Sequence, residues 1–536
     1  MPMSRCNALA LFGLPALFGL LVALAGTPAS AQKAGGTLVQ ITQPEPPNLA
    51  PYISTSAPIG QVTAKVYDGL LEYGFDLKPK PGLAESWEVA ADGKTVTFKL
   101  RKDVKFHDGK PFTSADVQFT IMEVLKKVHP RGISTFRDVT AVETPDEYTA
   151  VFKLNNAAPY MLAALSGYES PMLPKHVFSQ GDIKSHANAN SPIGTGPFKF
   201  VEWRRGELVR LDKNPDYWRK GLPYLDRIVV RFINDESTRT AALEKGEAHV
   251  AGFGAVPYSD AKKLAQLPSI EVTTKGYEMI SPVVELLINT KKPGFDNQKV
   301  RQAIAYAIDR QFVIDNIWFG YGRPATGPIS SNFAPSGIYT AEVTKYQSAD
   351  GIEKANKLLD EAGFPRKEGG IRFEIVHDIT PYGPEWQRFG EVVQQQLGKI
   401  GIKASLRYED VATWLKRVYT DYDFSLTSNF LYNLPDPVIG VHRAIHGKLI
   451  KQGTVFVNGS QWSDPQADAL MDKATIEPDP QKRAAYYQEV QKIVVDGSPI
   501  VWVFELTFPT IVNKRYHDVI TSPLGIYTNF ASTWRE

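Results

Sequence analysis

The chain has 536 residues, 43% of them hydrophobic, 22% charged and 11% aromatic, a globular balance that excludes collagen-like, disordered and multi-span membrane classes. At about 150 residues per domain, that length allows three or four domain-sized units. With 60 basic and 58 acidic residues the formal charge is +2, so no basic excess exists to neutralise a phosphate backbone and no nucleic-acid partner is expected.

The N-terminus carries a targeting pattern. Arg5 supplies a positive charge, Leu9 to Leu24 is apolar or small throughout, and Ala29-Ser30-Ala31 is a small-residue cleavage signal. Together these predict a secretory signal peptide over residues 1–31, cleaved after Ala31. The apolar run is short for a membrane span. Cys6 is the only cysteine and precedes that run, so no lipoprotein cysteine stands at the cleavage site. A large exported protein needs no disulfides, because its core is large enough. The mature chain is expected to be a soluble, periplasmic monomer.

After the signal, Thr37 to Thr42 alternates and reads as a strand. Gln43 to Tyr52 contains Pro44, Pro46, Pro47 and Pro51 and cannot be helical. A loop at a strand end is a common place for ligand contacts. Val62, Val66, Leu70 and Leu71 are spaced for a helix over 62–71. Residues 83–154 read as a β-rich insert. Its Asp92-Gly93 pair, between Trp87–Val89 and Thr95–Leu100, is a hairpin signal. Ser114-Ala115-Asp116 is read as the cap of a helix running to about Lys127, and Thr144 to Glu147 separates two further strands. Strands are expected at Leu208–Leu211 and Ile228–Phe232, and a helix at Glu236–Lys245 stopped by Gly246. Beyond residue 290, helices are predicted at 297–319, 350–362, 385–400, 410–419 and 481–495, with strands at 371–377, 402–408 and 423–428. That alternation predicts an α/β lobe with parallel pairing. No 20–50-residue repeat is present.

Catalytic signatures are missing. No Walker A, HExxH or Gly-x-Ser-x-Gly sequence occurs, and the mature chain has no thiol nucleophile. His442 and His446 are four apart, but no third metal ligand is visible nearby. Gly194-Thr195-Gly196 is followed by Pro197 and a strand-like Phe198-Lys199-Phe200, which is the wrong context for a dinucleotide loop. No cofactor or metal is expected. Glycosidase carboxylates have no recognisable spacing, so a secreted hydrolase stays open as an alternative.

Several segments, taken in order, resemble the extracytoplasmic solute-binding proteins of ABC transporters, in the peptide/opine/nickel family (family 5). They are Gly82–Trp87, Asp92–Arg101, Val104–Phe112, Ala115-Asp116-Val117, Pro192–Phe198, Asn214–Trp218, Leu243–Glu247 and Val300–Arg310. The resemblance implies a two-lobe α/β periplasmic-binding-protein fold, with an extra β-rich domain inserted in the first lobe and a hinge crossed twice. Mapped here, lobe I is 32–67, 191–285 and 500–536, the insert is 68–190, and lobe II is 286–499. It further implies capture of a peptide or other small polar solute between the lobes and delivery to the permease subunits of an ABC importer. A sensor that presents the solute without importing it is equally compatible with the sequence.

The resemblance also points to a site. Relatives that bind dipeptides hold the amine with an Asp just before an Asp-Pro pair, and the carboxylate with an Arg before Pro-Tyr. Here Asp436-Pro437 and Pro381-Tyr382 match those pairs, but the clamp positions read Asn433 and Thr380. Asp378 and Arg443 are the alternative clamps. The expected ligand-facing set is therefore Thr380, Tyr382, Asn429, Phe430, Tyr432, Asn433 and Asp436, which suits a neutral polar ligand such as an oligosaccharide, or a longer peptide held by its backbone. Glu45 in the proline-rich loop, and Glu278 after Tyr277, are candidates to hold a cationic group, and Tyr277 is itself counted among the expected ligand-binding residues. Trp318, Trp386 and Trp414 are possible aromatic platforms.

Overall fold

Thr37–Ile41 pairs in parallel with both Arg227–Arg231 and Val250–Ala251. In the computed structural model, which describes residues 33–536, these strands form the middle of a seven-stranded mixed sheet. The signal segment and its cleavage site lie outside the described residues. Leu208–Lys213 and Phe198–Arg204 extend the sheet on one side, and Thr510–Asn513 and Ile270–Thr273 on the other. Three separate passages of the chain thus build the first lobe.

The second lobe is built on a six-stranded sheet, in the order Gly322–Pro324, Ile500–Leu506, Pro282–Ile288, Leu426–Tyr432, Phe373–Asp378, Ile402–Arg407. The last three strands pair in parallel, as the alternation predicts. Pro282–Ile288 is antiparallel to both its neighbours, so the sheet is mixed. Every residue of Pro282–Ile288 and Ile500–Leu506 is buried, the pattern of strands covered on both faces. Both strands belong to this second sheet. The sequence boundaries at 285/286 and 499/500 therefore fall inside one strand and just ahead of the other.

The insert carries a four-stranded antiparallel sheet of Ala84–Val89, Thr95–Leu100, Thr149–Leu154 and Val139–Asp146. Its Asp92-Gly93 turn forms as expected. Gly93 has φ +68°, and Asp92 Oδ1 accepts from the Lys94 N–H at 2.9 Å. Ser114 opens its helix rather than capping it. Thr113 is the cap, and the Asp116 carboxylate accepts from the Thr113 N–H at 2.8 Å.

Two helix expectations change. The first helix is Ala57–Thr63, and Leu71 already begins a strand, Leu71–Tyr73. Residues 58–71 are all buried, so apolar spacing there reports complete burial rather than one helix face. The span 297–319 is two helices, Gln298–Ala307 and Arg310–Ile317. Asp309 breaks it by capping the second, accepting from the Phe312 N–H at 3.0 Å. Arg301 and Arg310 anchor the pair from within the core. Arg301 donates to the carbonyls of Gly497 (2.9 Å) and Phe295 (2.8 Å), and Arg310 to those of Trp502 (3.0 Å) and Ala305 (3.1 Å).

Candidate functional site

A cavity of about 840 Å³ opens where three parts of the molecule meet. The first lobe contributes Thr55, just after the proline-rich loop, and the insert contributes Arg131, Ser134 and Arg137. The second lobe supplies the opposite wall, from the end of Leu426–Tyr432 and the segments that follow it.

That wall is aromatic. Phe430 stacks on Trp386 with ring centroids 5.6 Å apart and planes 24° off parallel. Tyr382 and Tyr432 meet Phe430 edge-on, at 6.0 Å and 5.4 Å. Trp386, Trp414 and Trp318 are buried behind this surface and back it rather than line it. The Trp414 indole N–H is used within the core, on Thr427 Oγ1 at 3.0 Å.

A second aromatic group joins the lobes. Phe253 of the first lobe lies 6.3 Å from Tyr432 of the second and stacks at 4.4 Å on Phe508, in the segment that connects the two sheets. Tyr277 belongs to this group, 6.1 Å from Phe253, with its hydroxyl hydrogen-bonded to Thr510 Oγ1 at 2.8 Å.

The charged side chains of the cavity lining are mostly cationic. Arg131, Arg137, Arg443, Lys448 and Lys451 line it, against one carboxylate, Asp472. His446 sits between Asp468 (3.3 Å) and Asp472 (3.1 Å). His442 donates to or accepts from the Tyr487 hydroxyl at 3.0 Å, and burial holds its pKa well below the usual imidazole range. No group of three or more metal-binding side chains converges among the described residues.

Behind the wall is a buried acid. Glu285 projects from Pro282–Ile288 opposite Asn429, and burial pushes its pKa up to about 8, with Arg443 partly opposing the shift. Asn429 donates to the Tyr419 hydroxyl at 3.0 Å and does not reach the cavity lining.

Of the residues expected from sequence, Tyr382, Phe430 and Tyr432 line the cavity, and so does Arg443, one of the two alternative clamps. The others are committed to the framework. The Asn433 side chain accepts from the Ser330 N–H at 2.6 Å and donates to the Pro328 carbonyl at 3.0 Å. The Thr380 hydroxyl donates to the Ser428 carbonyl and is fully buried. Asp436 holds Arg483 in a buried bidentate pair and caps the next helix through the Val438 N–H at 2.9 Å. Asp378 is paired with Arg407 at 2.6 Å. Glu45 accepts from the Trp203 indole (2.9 Å) and the Gly206 N–H (3.0 Å), bracing a first-lobe hairpin. Glu278 folds back on the Gly276 N–H at 3.1 Å. The set Thr380, Asn429, Asn433 and Asp436 is thus internal and does not line this cavity, whose charged side chains are mostly cationic. Arg131, Arg137 and Phe456 also line the cavity, and no local motif in the sequence marks them.

Among the described residues, no helix is long and apolar enough to cross a membrane. Residues 78–447, more than half of the chain, match the family model for the middle region of bacterial extracellular solute-binding proteins, family 5. The chain is 29% identical over 496 residues to the oligopeptide-binding protein AppA of Bacillus subtilis, covering 89% of this chain and 87% of that one. It is 30% identical over 506 residues to the glutathione-binding protein GsiB of Salmonella choleraesuis, covering 93% of each. Among solved structures, the ABC transporter substrate-binding protein CtaP of Listeria monocytogenes superposes with a TM-score of 0.82 at 25% identity, covering 94% of this chain and 100% of that one. The chain belongs to the bacterial extracellular solute-binding proteins of family 5, the solute-capturing components of ABC importers that work with membrane permease subunits.

Proposed function

We propose that the solute is captured in the cavity of about 840 Å³ between the insert and the second lobe, and that closure of the lobes around it precedes delivery to the permease. The observation that carries this reading is the composition of the cavity walls: one comes from the insert and first lobe, the other from the second lobe, and the chain crosses between the two main sheets twice. We place the hinge in the two connections between the sheets, at 274–281 and 507–509. Rotation there changes the separation of Arg131 and Arg137 from Phe430 and Arg443, excludes water and strengthens polar contacts.

In this reading the mature protein starts at Gln32, works in the periplasm and does no chemistry on its solute. Relatives named for oligopeptides and for glutathione set the first compounds to try. A thermal-shift screen over glutathione, oligopeptides, opines and oligosaccharides, with small-angle scattering on every hit, tests the reading. A solute at a hundred times its dissociation constant should stabilise the fold by about 2.7 kcal/mol, and the scattering radius should shrink. Tight binding without compaction would contradict lobe closure, and turnover of the hit would favour the hydrolase.

A further inference from the structure

The insert touches the second lobe along a seam beside the cavity. Pro159–Ala164 packs against Pro437–Gly440 and against the helix Pro465–Ile476. Tyr160, Met161, Ile439 and Met471 in these elements are buried. The tip of the Asp92-Gly93 hairpin joins the same seam. Asp92 and Lys94 are exposed, but Gly93 between them is buried. A Cβ added to Gly93 would stand 2.7 Å from Ala157 Cβ in the insert and 3.6 Å from Pro478 Cβ in the second lobe. Among the described residues, no hydrogen bond or ion pair joins the insert to the second lobe.

Rotation at 274–281 and 507–509 has to part Pro159–Ala164 from both second-lobe elements. A contact of this kind is suited to part and re-form. With no polar bond across it, opening strands no buried donor or acceptor. Closing takes apolar area out of water, a gain that needs no fixed geometry. We propose that the seam is the latch of the closed arrangement: it forms as the lobes close, breaks as they open, and holds them together without touching the solute. The insert then does more than supply one side of the cavity. It sets the fraction of molecules that are closed, and the apparent affinity for solute follows that fraction. The latch rests on the lobes turning at that hinge and not on which solute binds.

The test is a crosslink made without solute, on the chain from Gln32 onward, which has no cysteine of its own. The 3.6 Å between the two Cβ positions lies within the range of a disulfide. The variant combines Gly93→Cys and Pro478→Cys, with Ala157→Gly to make room for the new Cβ. Under mild oxidation the disulfide should form in most molecules. Small-angle scattering should show a smaller radius for the oxidised than for the reduced protein, and reduction should restore the larger one. Ala158→Glu puts a carboxylate at the buried start of Pro159–Ala164 and should slow the disulfide at least tenfold. Ala157→Cys with Pro478→Cys, bridged by a short bismaleimide, repeats both measurements without strain at residue 93. If both thiols of a cooperatively melting variant stay free, if the closed crosslink leaves the radius unchanged, or if Ala158→Glu crosslinks at the unmodified rate, the latch is overturned. Each of those results leaves capture in the cavity standing, whereas a solute screen without hits overturns capture and leaves the latch.

Discussion

Asp436 and Arg483 form a buried bidentate ion pair, with both oxygen–nitrogen distances at 2.8 Å. The pair fastens the segment after Leu426–Tyr432, which carries Arg443, to the helix Pro480–Gly497. The Asp-Pro pair that resembles a ligand motif is therefore part of the frame that positions the cavity wall. Removing one partner strands the other charge without solvent, at about 3–5 kcal/mol. Asp436→Asn should lose about that much in chemical denaturation, and the double variant Asp436→Leu with Arg483→Met should lose less than Asp436→Asn alone.

Thr380 and Asn433 are hydrogen-bonded within the frame rather than turned to the cavity. Asn433→Asp puts a carboxylate oxygen against the Pro328 carbonyl in place of a donor, and Thr380→Arg buries a cation beside Ser428. Each change should destabilise the protein by about 1–3 kcal/mol or more. Neither should improve binding of a free dipeptide in calorimetry.

Glu285 should make stability fall with rising pH. Its pKa is about 8 in the fold against an ordinary 4.5, so between those values the folded state holds a proton that the unfolded state has released. Unfolding then releases that proton, and stability declines across the window. At about 1.4 kcal/mol per pKa unit, the full effect is on the order of 5 kcal/mol. Glu285→Gln has no such titration. Its stability relative to the natural protein should therefore rise steadily from pH 5 to pH 8 in denaturant titrations, whatever its offset at pH 5.

His377 acts in the opposite sense. It is fully buried in Phe373–Asp378, neither ring nitrogen has a hydrogen-bond partner among the described residues, and burial lowers its pKa to about 3. Between pH 6.5 and 3 the unfolded state binds a proton that the folded state refuses, so stability falls as pH drops through that window. His377→Leu removes both the titration and two unsatisfied polar atoms. It should raise stability by about 1 kcal/mol or more at pH 7, and by more at pH 5.

Phe430→Ala should open the aromatic wall. Phe430 is the ring that Trp386, Tyr382 and Tyr432 all contact, so truncation leaves a gap inside the cavity surface. Any solute that compacts the natural protein should bind Phe430→Ala at least tenfold more weakly, by the few kcal/mol typical of a lost aromatic anchor. Its melting temperature without solute should fall as well, because Trp386 loses its stacking partner.

The sequence by itself determined the alternation of strands and helices, the Asp92-Gly93 hairpin and the family, because each is carried by residues close together in the chain. Short-range periodicity, turn chemistry and ordered motifs need no knowledge of distant partners. Its errors have the same origin. Apolar spacing over 62–71 could not distinguish a helix face from a segment buried on every side, and Asp309 did not announce that it would cap a new helix. Only the tertiary structure decided which residues share the cavity. Arg131 and Arg443 are more than three hundred residues apart and line one cavity because the insert folds back over the second lobe. Whether a polar side chain faces that cavity or the frame depends on partners equally remote: Ser330 for Asn433, Trp203 for Glu45, Arg483 for Asp436. Among the described residues Arg443 differs from these in donating to the carbonyls of Gly440 and Tyr432 without an ion-pair partner, and that can be seen only once the other charges have been placed.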